Sequence, residues 1–150
     1  MNSLLGVEFD GGDASALVME YVQGDTLNKV VKYYGALPEL TVKGFARQIL
    51  SGIAYMHSRN VIHRDIKSSN IMVISGTYIK IIDFGLAKRV TSAYGPQADS
   101  TSTLVGTLPY MAPELMRYES YDARIDVWSF AVVVYEMATG EPFLNFNGQI

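Results

Sequence analysis

The sequence contains no cysteine. That excludes a disulfide framework, a structural zinc site built on thiolates and a thiol nucleophile. Charge is scarce too. Asp, Glu, Lys and Arg make up 18% of the 150 residues, against roughly 25% in an average soluble domain. The net charge is −3 and the pI near 5.3, so composition gives no sign of nucleic-acid binding. Long apolar runs are missing as well. The longest uncharged one, Val127 to Tyr135, falls short of the roughly 20 residues that cross a bilayer. No basic stretch leads into an apolar one at the start, so no signal peptide or membrane segment is expected, and the lack of cysteine fits a cytoplasmic setting. There are no internal repeats. What is plentiful is apolar side chain, at 49%, enough for the core of one domain at most.

The chemistry gathers in one polar stretch, His63-Arg64-Asp65-Ile66-Lys67-Ser68-Ser69-Asn70. Val61-Ile62 precede it and Ile71-Met72-Val73-Ile74 follow, two short β-branched runs that read as strands holding a loop. A carboxylate, an ammonium and an amide together suit a phosphate ester. Asp65 can accept a hydroxyl proton, Lys67 can neutralise phosphate oxygens, and Asn70 can offer an amide oxygen to a hard cation. Further on, Tyr78 to Ile82 reads as a buried strand ending on Asp83-Phe84-Gly85, a second hard-cation ligand with a flexible residue behind it.

H-R-D-I-K-S-S-N, then D-F-G, then Ala112-Pro113-Glu114, in that order, resembles the signature of eukaryotic-type protein kinases. The resemblance runs from about residue 3 to 146. It implies an α+β, protein-kinase-like bilobal fold, present in part: the last strands of the small lobe (1–19), the hinge (20–26), and a mostly α-helical large lobe through its central buried helix (27–150). It also implies a transferase that moves the γ-phosphate of ATP, with Mg²⁺, onto Ser or Thr hydroxyls of a protein substrate.

Individual residues take their expected roles from the same likeness. Asp65 would be the base or hydroxyl-orienting group, and Lys67 would reach the γ-phosphate, a serine/threonine-type trait. Thr107 would hydrogen-bond toward both. Asn70 and Asp83 would hold the metal. Met19 would be the gatekeeper, Glu20 and Val22 would bring backbone to the adenine edge, and Asp25 or Thr26 would lie near the ribose. Met72 reads equally as the adenine floor and as plain core. His63 and Phe84 would belong to a stacked column between lobes, with Leu4 or Leu5 a third member. Arg64 would receive a phosphate on Thr103, placed there by an upstream kinase or by autophosphorylation; the plainer reading of that segment is a solvated Ser/Thr-rich loop. Glu114 would be structural. Asp126, a carboxylate in an apolar helix, must be partnered, and the likeness implies the backbone of the catalytic loop.

Pattern supplies the remaining elements. Residues 3–9 and 14–19 read as strands around the turn Asp10-Gly11-Gly12-Asp13. Leu27 to Tyr34 reads as a short helix stopped by Gly35. A second opens at Pro38 and runs to His57 on a face made by Val42, Phe45-Ala46, Ile49-Leu50, Ile53-Ala54 and Met56. His57 itself reads as a structural, hydrogen-bonding histidine. Residues 86–111 form a long segment of little periodicity, and Pro113 to Tyr118 a short helix. From Ala123 to Thr139 the pattern is apolar almost all round, which predicts a helix buried on every face, with Trp128, Val133 and Met137 in the core.

Two family motifs are absent from these 150 residues, the glycine-rich G-x-G-x-x-G-x-V and the V-A-I-K lysine. The segment alone is therefore expected to be inactive. A pseudokinase-like scaffold is the competing reading, and a non-functional truncated product a third. G-T-L-P-Y-M-A-P-E with D-V-W-S-F-A-V-V-V-Y-E-M is similar to the tyrosine-kinase-like and mitogen-activated kinase kinase kinase groups. Ser69 stands where many arginine-directed kinases carry glutamate, which weakens the case for basic substrates.

Overall fold

A computed structural model describes residues 21–94 and 105–144, and the backbone alone of 4–9 and 15–19. The turn at 10–13, Glu20 and Thr103 lie outside the described residues, as do the side chains of Leu4, Leu5 and Met19. The two first strands, β1 (Leu4–Phe9) and β2 (Ser15–Met19), pair antiparallel, with Phe9 opposite Ser15 and a register irregularity between Leu4 and Gly6.

Helix α1 (Leu27–Tyr34) buries Leu27 and Val31 and leaves Tyr33 and Tyr34 in solvent. Gly35, at φ 71°, ends it and donates its N–H to the Val31 carbonyl, a positive-φ conformation that glycine adopts without strain. Pro38 stands one position ahead of α2 (Glu39–Ser58), where its missing N–H costs nothing. On α2 the buried line is Phe45, Ile49, Ile53 and Met56. Leu50 and Ala54, expected on that face, are exposed. The stripe is narrower than the apolar doublets implied because a single row of α2 meets the core.

The polar stretch stands between two short strands, as its flanking runs imply, and the two belong to different sheets. Strand β4 (Val61–Ile62) pairs with β7 (Lys88–Arg89), whereas β5 (Ile71–Ile74) lies between β3 (Asp25–Thr26) and β6 (Tyr78–Ile81) in a separate antiparallel sheet. Each strand is anchored in its own core. Ile66, Ile71 and Val73 enter the larger one with Leu27, Ile49, Ile53, Val133 and Met137. Ile62 enters the smaller one with Met111, Ala112, Leu115, Tyr121 and Ile125. Strand β6, by contrast, is not a buried strand: it is a sheet edge, Tyr78 is exposed, and Ile81 alone is buried. Positive φ at Ser75 and Gly76 turns β5 back into β6.

A short helix α3 (Pro113–Met116) precedes α4 (Arg124–Thr139). Val133 and Met137 of α4 are fully buried, but Trp128 is not core: Val127, Trp128 and Tyr135 are 42, 41 and 41% exposed. The expectation of burial on every face fails because, among the described residues, α2 and the loop around Tyr110 cover α4 on one side. No helix of the described residues is long and apolar enough to cross a membrane.

Helix α4 ends at Gly140, at φ 76°, hard against the loop between α1 and α2; an added Cβ would lie 2.5 Å from the Ala36 nitrogen. Alongside, the Leu37 N–H donates to the Met137 carbonyl. Gly140→Ala is therefore expected to lower stability by about 2 kcal/mol from strained backbone and contact together, read as a lower midpoint in urea unfolding.

Candidate active site

Asp65 sits at the centre of a closed set of contacts. Its Oδ1 accepts from the Thr107 hydroxyl at 2.7 Å, and its Oδ2 meets the Lys67 ammonium at 2.7 Å. Lys67 donates in turn to Thr107 Oγ1 at 2.9 Å. The Asn70 amide donates to both the carbonyl and Oδ2 of Asp65, each at 3.0 Å. Three residues within six positions come together because the chain makes one 3₁₀ turn at Ser68–Asn70. Thr107 arrives from forty residues later. Gly106 permits this, since a Cβ there would come within 2.7 Å of the Arg64 carbonyl.

Burial alone would raise the Asp65 carboxyl. Hydrogen bonds from Lys67, Thr107 and Asn70, with the Lys67 charge, hold it below the usual carboxylate value instead. The site is thus built around a permanent anion with a cation fixed against it.

The Asp65 loop rests on Asp126, fully buried at the start of α4. Its two oxygens accept the backbone N–H groups of His63 and Arg64, both at 2.9 Å, and Oδ2 also meets His57 Nε2 at 2.8 Å. Those bonds hold Arg64 at φ 68°, a left-handed conformation uncommon for a side chain of its size. The Arg64 guanidinium donates to the Leu86 carbonyl at 2.7 Å and to the Tyr121 hydroxyl at 3.0 Å.

His63 ties this loop to Asp83. Its Nδ1 accepts the Asp65 N–H, its Nε2 donates to the Ile82 carbonyl at 3.2 Å, and its ring meets Phe84 edge-on at 5.0 Å. Burial pushes its pKa down; Asp126, the Ile82 carbonyl, Asp65 and Asp83 pull the other way. Asp65 and Asp83 therefore act on the same imidazole. The Ile82 N–H also donates to the Asn70 carbonyl at 2.9 Å, so the segments bearing Asn70 and Asp83 run side by side. Asp83 is exposed, at φ 62°, and among the described residues its one hydrogen bond comes from the Gly85 N–H.

Those two oxygen donors suit Mg²⁺. The Asn70 amide spends its nitrogen on Asp65, which leaves its oxygen available, and Asp83 has an oxygen without a donor among the described residues. No group of three or more His, Cys, Asp or Glu able to hold a metal occurs among the described residues.

The nucleotide-facing candidates are less closely gathered. Met72 is buried, opposite Thr26 across the sheet. Val22 is half-buried, and Asp25 is exposed, 3.8 Å from Lys29. Glu114 is half-buried in α3 and lies near enough to Arg124 to act on its charge, though Arg124 pairs foremost with Asp122.

One cluster was not anticipated. Tyr110 donates to both Glu136 oxygens, at 2.7 and 2.9 Å, and Ser68 donates to the Tyr110 oxygen at 2.9 Å. Burial is the main force raising the Tyr110 phenol to about 12, and burial also raises the Glu136 carboxyl. The signal available beforehand was a glutamate on the apolar α4, the same signal that singled out Asp126.

Comparison with known proteins bears on the whole of this geometry. The family model described as protein kinase domain matches residues 7–149. Mouse mitogen-activated protein kinase kinase kinase 19 is 41% identical over 129 residues, covering 85% of this chain and 10% of its own. Mitogen-activated protein kinase kinase kinase 3 of Arabidopsis thaliana is 41% identical over 149 residues, covering 95% and 24%. Serine/threonine-protein kinase STE11 of Saccharomyces cerevisiae is 37% identical over 143 residues, covering 95% and 20%. The chain thus spans between a tenth and a quarter of the length of these relatives.

Proposed function

The chain belongs to the protein kinase domain family, and we propose that the protein carrying it transfers the ATP γ-phosphate to Ser or Thr hydroxyls of protein substrates. The observation that supports this best is the closed triangle of Asp65, Lys67 and Thr107. Asp65 orients the acceptor hydroxyl and takes its proton as the bond forms. Lys67 neutralises charge on the transferred group, which matters because that charge spreads over three oxygens. Thr107 keeps the ammonium and the carboxylate at a fixed separation. Mg²⁺ bound with ATP supplies further charge neutralisation, and Asn70 and Asp83 are the residues that would hold it. Glu20, Val22, Asp25 and Met72, with Met19 as gatekeeper, fall to the adenine and ribose. In this reading residues 1–19 are small-lobe strands, 20–26 the hinge and 27–150 the large lobe.

The lowered pKa of Asp65 shapes its role. A strong general base would titrate near the working pH; Asp65 is instead ionised well below it. It acts by orientation and electrostatics, with proton acceptance late. The folded carboxyl lies below its ordinary value, so its charge, and the stability it lends, is lost only as pH falls through that lower value. From pH 5 to 8, kcat is expected to show no acid limb due to Asp65, as measured by steady-state rates at saturating ATP.

The names of two of these relatives, mitogen-activated protein kinase kinase kinases, point to substrates that are themselves protein kinases, the kinases of mitogen-activated kinases. Thr103 would carry a regulatory phosphate, from another kinase or from autophosphorylation, with Arg64 as its receiver. The test is direct: the full-length protein with Mg²⁺ and labelled ATP should phosphorylate a catalytically dead kinase of that tier on Ser or Thr. A protein that binds ATP yet labels neither itself nor any protein substrate would be a scaffold instead.

A further inference from the structure

Tyr94 follows a docked residue. Ala93 beside it is buried, donates its N–H to Asn60 Oδ1 at 3.2 Å and accepts the Ala123 N–H at 2.8 Å. That anchorage sets the Tyr94 ring edge-on to His57, with centroids 5.7 Å apart, and puts its hydroxyl 2.9 Å from His57 Nδ1. Tyr94 as a residue is 54% exposed, while His57 is buried.

The tautomer follows from the partners. Asp126 is an acceptor, so the proton it receives from His57 sits on Nε2. In the neutral ring Nδ1 is then a bare acceptor, and the Tyr94 hydroxyl is its donor. A buried acceptor stripped of its donor is costly and recruits a proton or a rotation of the ring. Either change alters what Asp126 can give to the N–H groups of His63 and Arg64, the pair that keeps Arg64 left-handed and delivers Asp65.

We propose that Tyr94 is a positioning residue for phosphoryl transfer, fixing through His57 and Asp126 the backbone that carries Asp65. This rests on the kinase reading above. Tyr94 touches neither substrate nor nucleotide; it supplies one donor to a chain that runs through His57 and Asp126 and ends on the backbone N–H groups of His63 and Arg64, next to Asp65.

Tyr94→Phe in the full-length protein tests it, since phenylalanine keeps the ring contact and deletes the hydroxyl alone. Misplaced reacting groups slow catalysis, and kcat is expected to fall about 10-fold, with KM for ATP and for the protein substrate unchanged. In two-bond ¹H–¹⁵N spectra the His57 Nδ1 resonance should move toward the position of an unbonded acceptor. Wild-type kcat in Tyr94→Phe, a loss confined to KM, or an unmoved Nδ1 resonance would each overturn the proposal. An unsubstituted protein that transfers no phosphate would remove the kinase reading along with this one, whereas an active protein indifferent to Tyr94→Phe removes this one alone.

Discussion

Asp65→Asn in the full-length protein is expected to lower kcat by about 10³-fold, within the 10²–10⁴ range of a positioned acid–base group. Asparagine matches the shape of the carboxylate, so the loop has no steric reason to move. What disappears is charge. Lys67 loses the anion 2.7 Å away, and an amide nitrogen replaces one oxygen in a site already rich in donors, facing either Thr107 or the Lys67 and Asn70 side. The Asn70 amide, which now donates to Asp65 Oδ2, would face either a weaker acceptor or another donor. ATP affinity should change less than kcat, because the residues assigned to the adenine and ribose lie on other elements. Initial rates at saturating ATP, with nucleotide binding by calorimetry, separate the two effects. A variant keeping a tenth of the parent rate would show that Asp65 is not where the hydroxyl is handled.

The sequence was most informative where chemistry and chain proximity coincide. Asp65, Lys67 and Asn70 lie within one turn, so their convergence needed no knowledge of the fold. The helices starting near Leu27 and Pro38 were readable for a similar reason. Gly35 and Pro38 punctuate them locally, and α1 runs from Leu27 to Tyr34 as its pattern implies. Burial was harder. An apolar stripe says that a face can be covered, not that it is, and so Leu50 on α2 and Trp128 on α4 read as core yet stand in solvent. Long-range polar pairs were harder still. Asp126 could be singled out because a carboxylate among apolar residues needs donors, and the kinase likeness supplied the loop backbone as partner. His57 as its third donor, and Tyr94 beyond it, could not be read, because neither residue type nor spacing marks a bond spanning 69 or 37 positions. Glu136 carried the same mark as Asp126, a carboxylate on the apolar α4, but nothing marked Tyr110, 26 positions away, as its partner.

The 150 residues by themselves are expected to transfer phosphate at least about 10⁴-fold more slowly than the full-length protein. The large-lobe chemistry is present, but phosphoryl transfer depends on holding the nucleotide's phosphates as firmly as the acceptor. The sequence contains neither G-x-G-x-x-G-x-V nor V-A-I-K; Lys29 and Lys43 sit on helices α1 and α2, not on a strand. Loss of one preorganised donor costs about 10²–10³ in rate, and here a whole phosphate-covering loop and a lysine are wanting together. Stability points the same way. The β1–β2 pair is a two-stranded sheet, marginal in water without further strands. Side-by-side assays of the two proteins, at equal concentration with the same ATP and acceptor, would measure the gap. Rates within 10-fold of each other would mean that Asp65, Lys67, Asn70 and Asp83 suffice without the missing motifs, and that far less than the family's usual apparatus is needed to steer the phosphate.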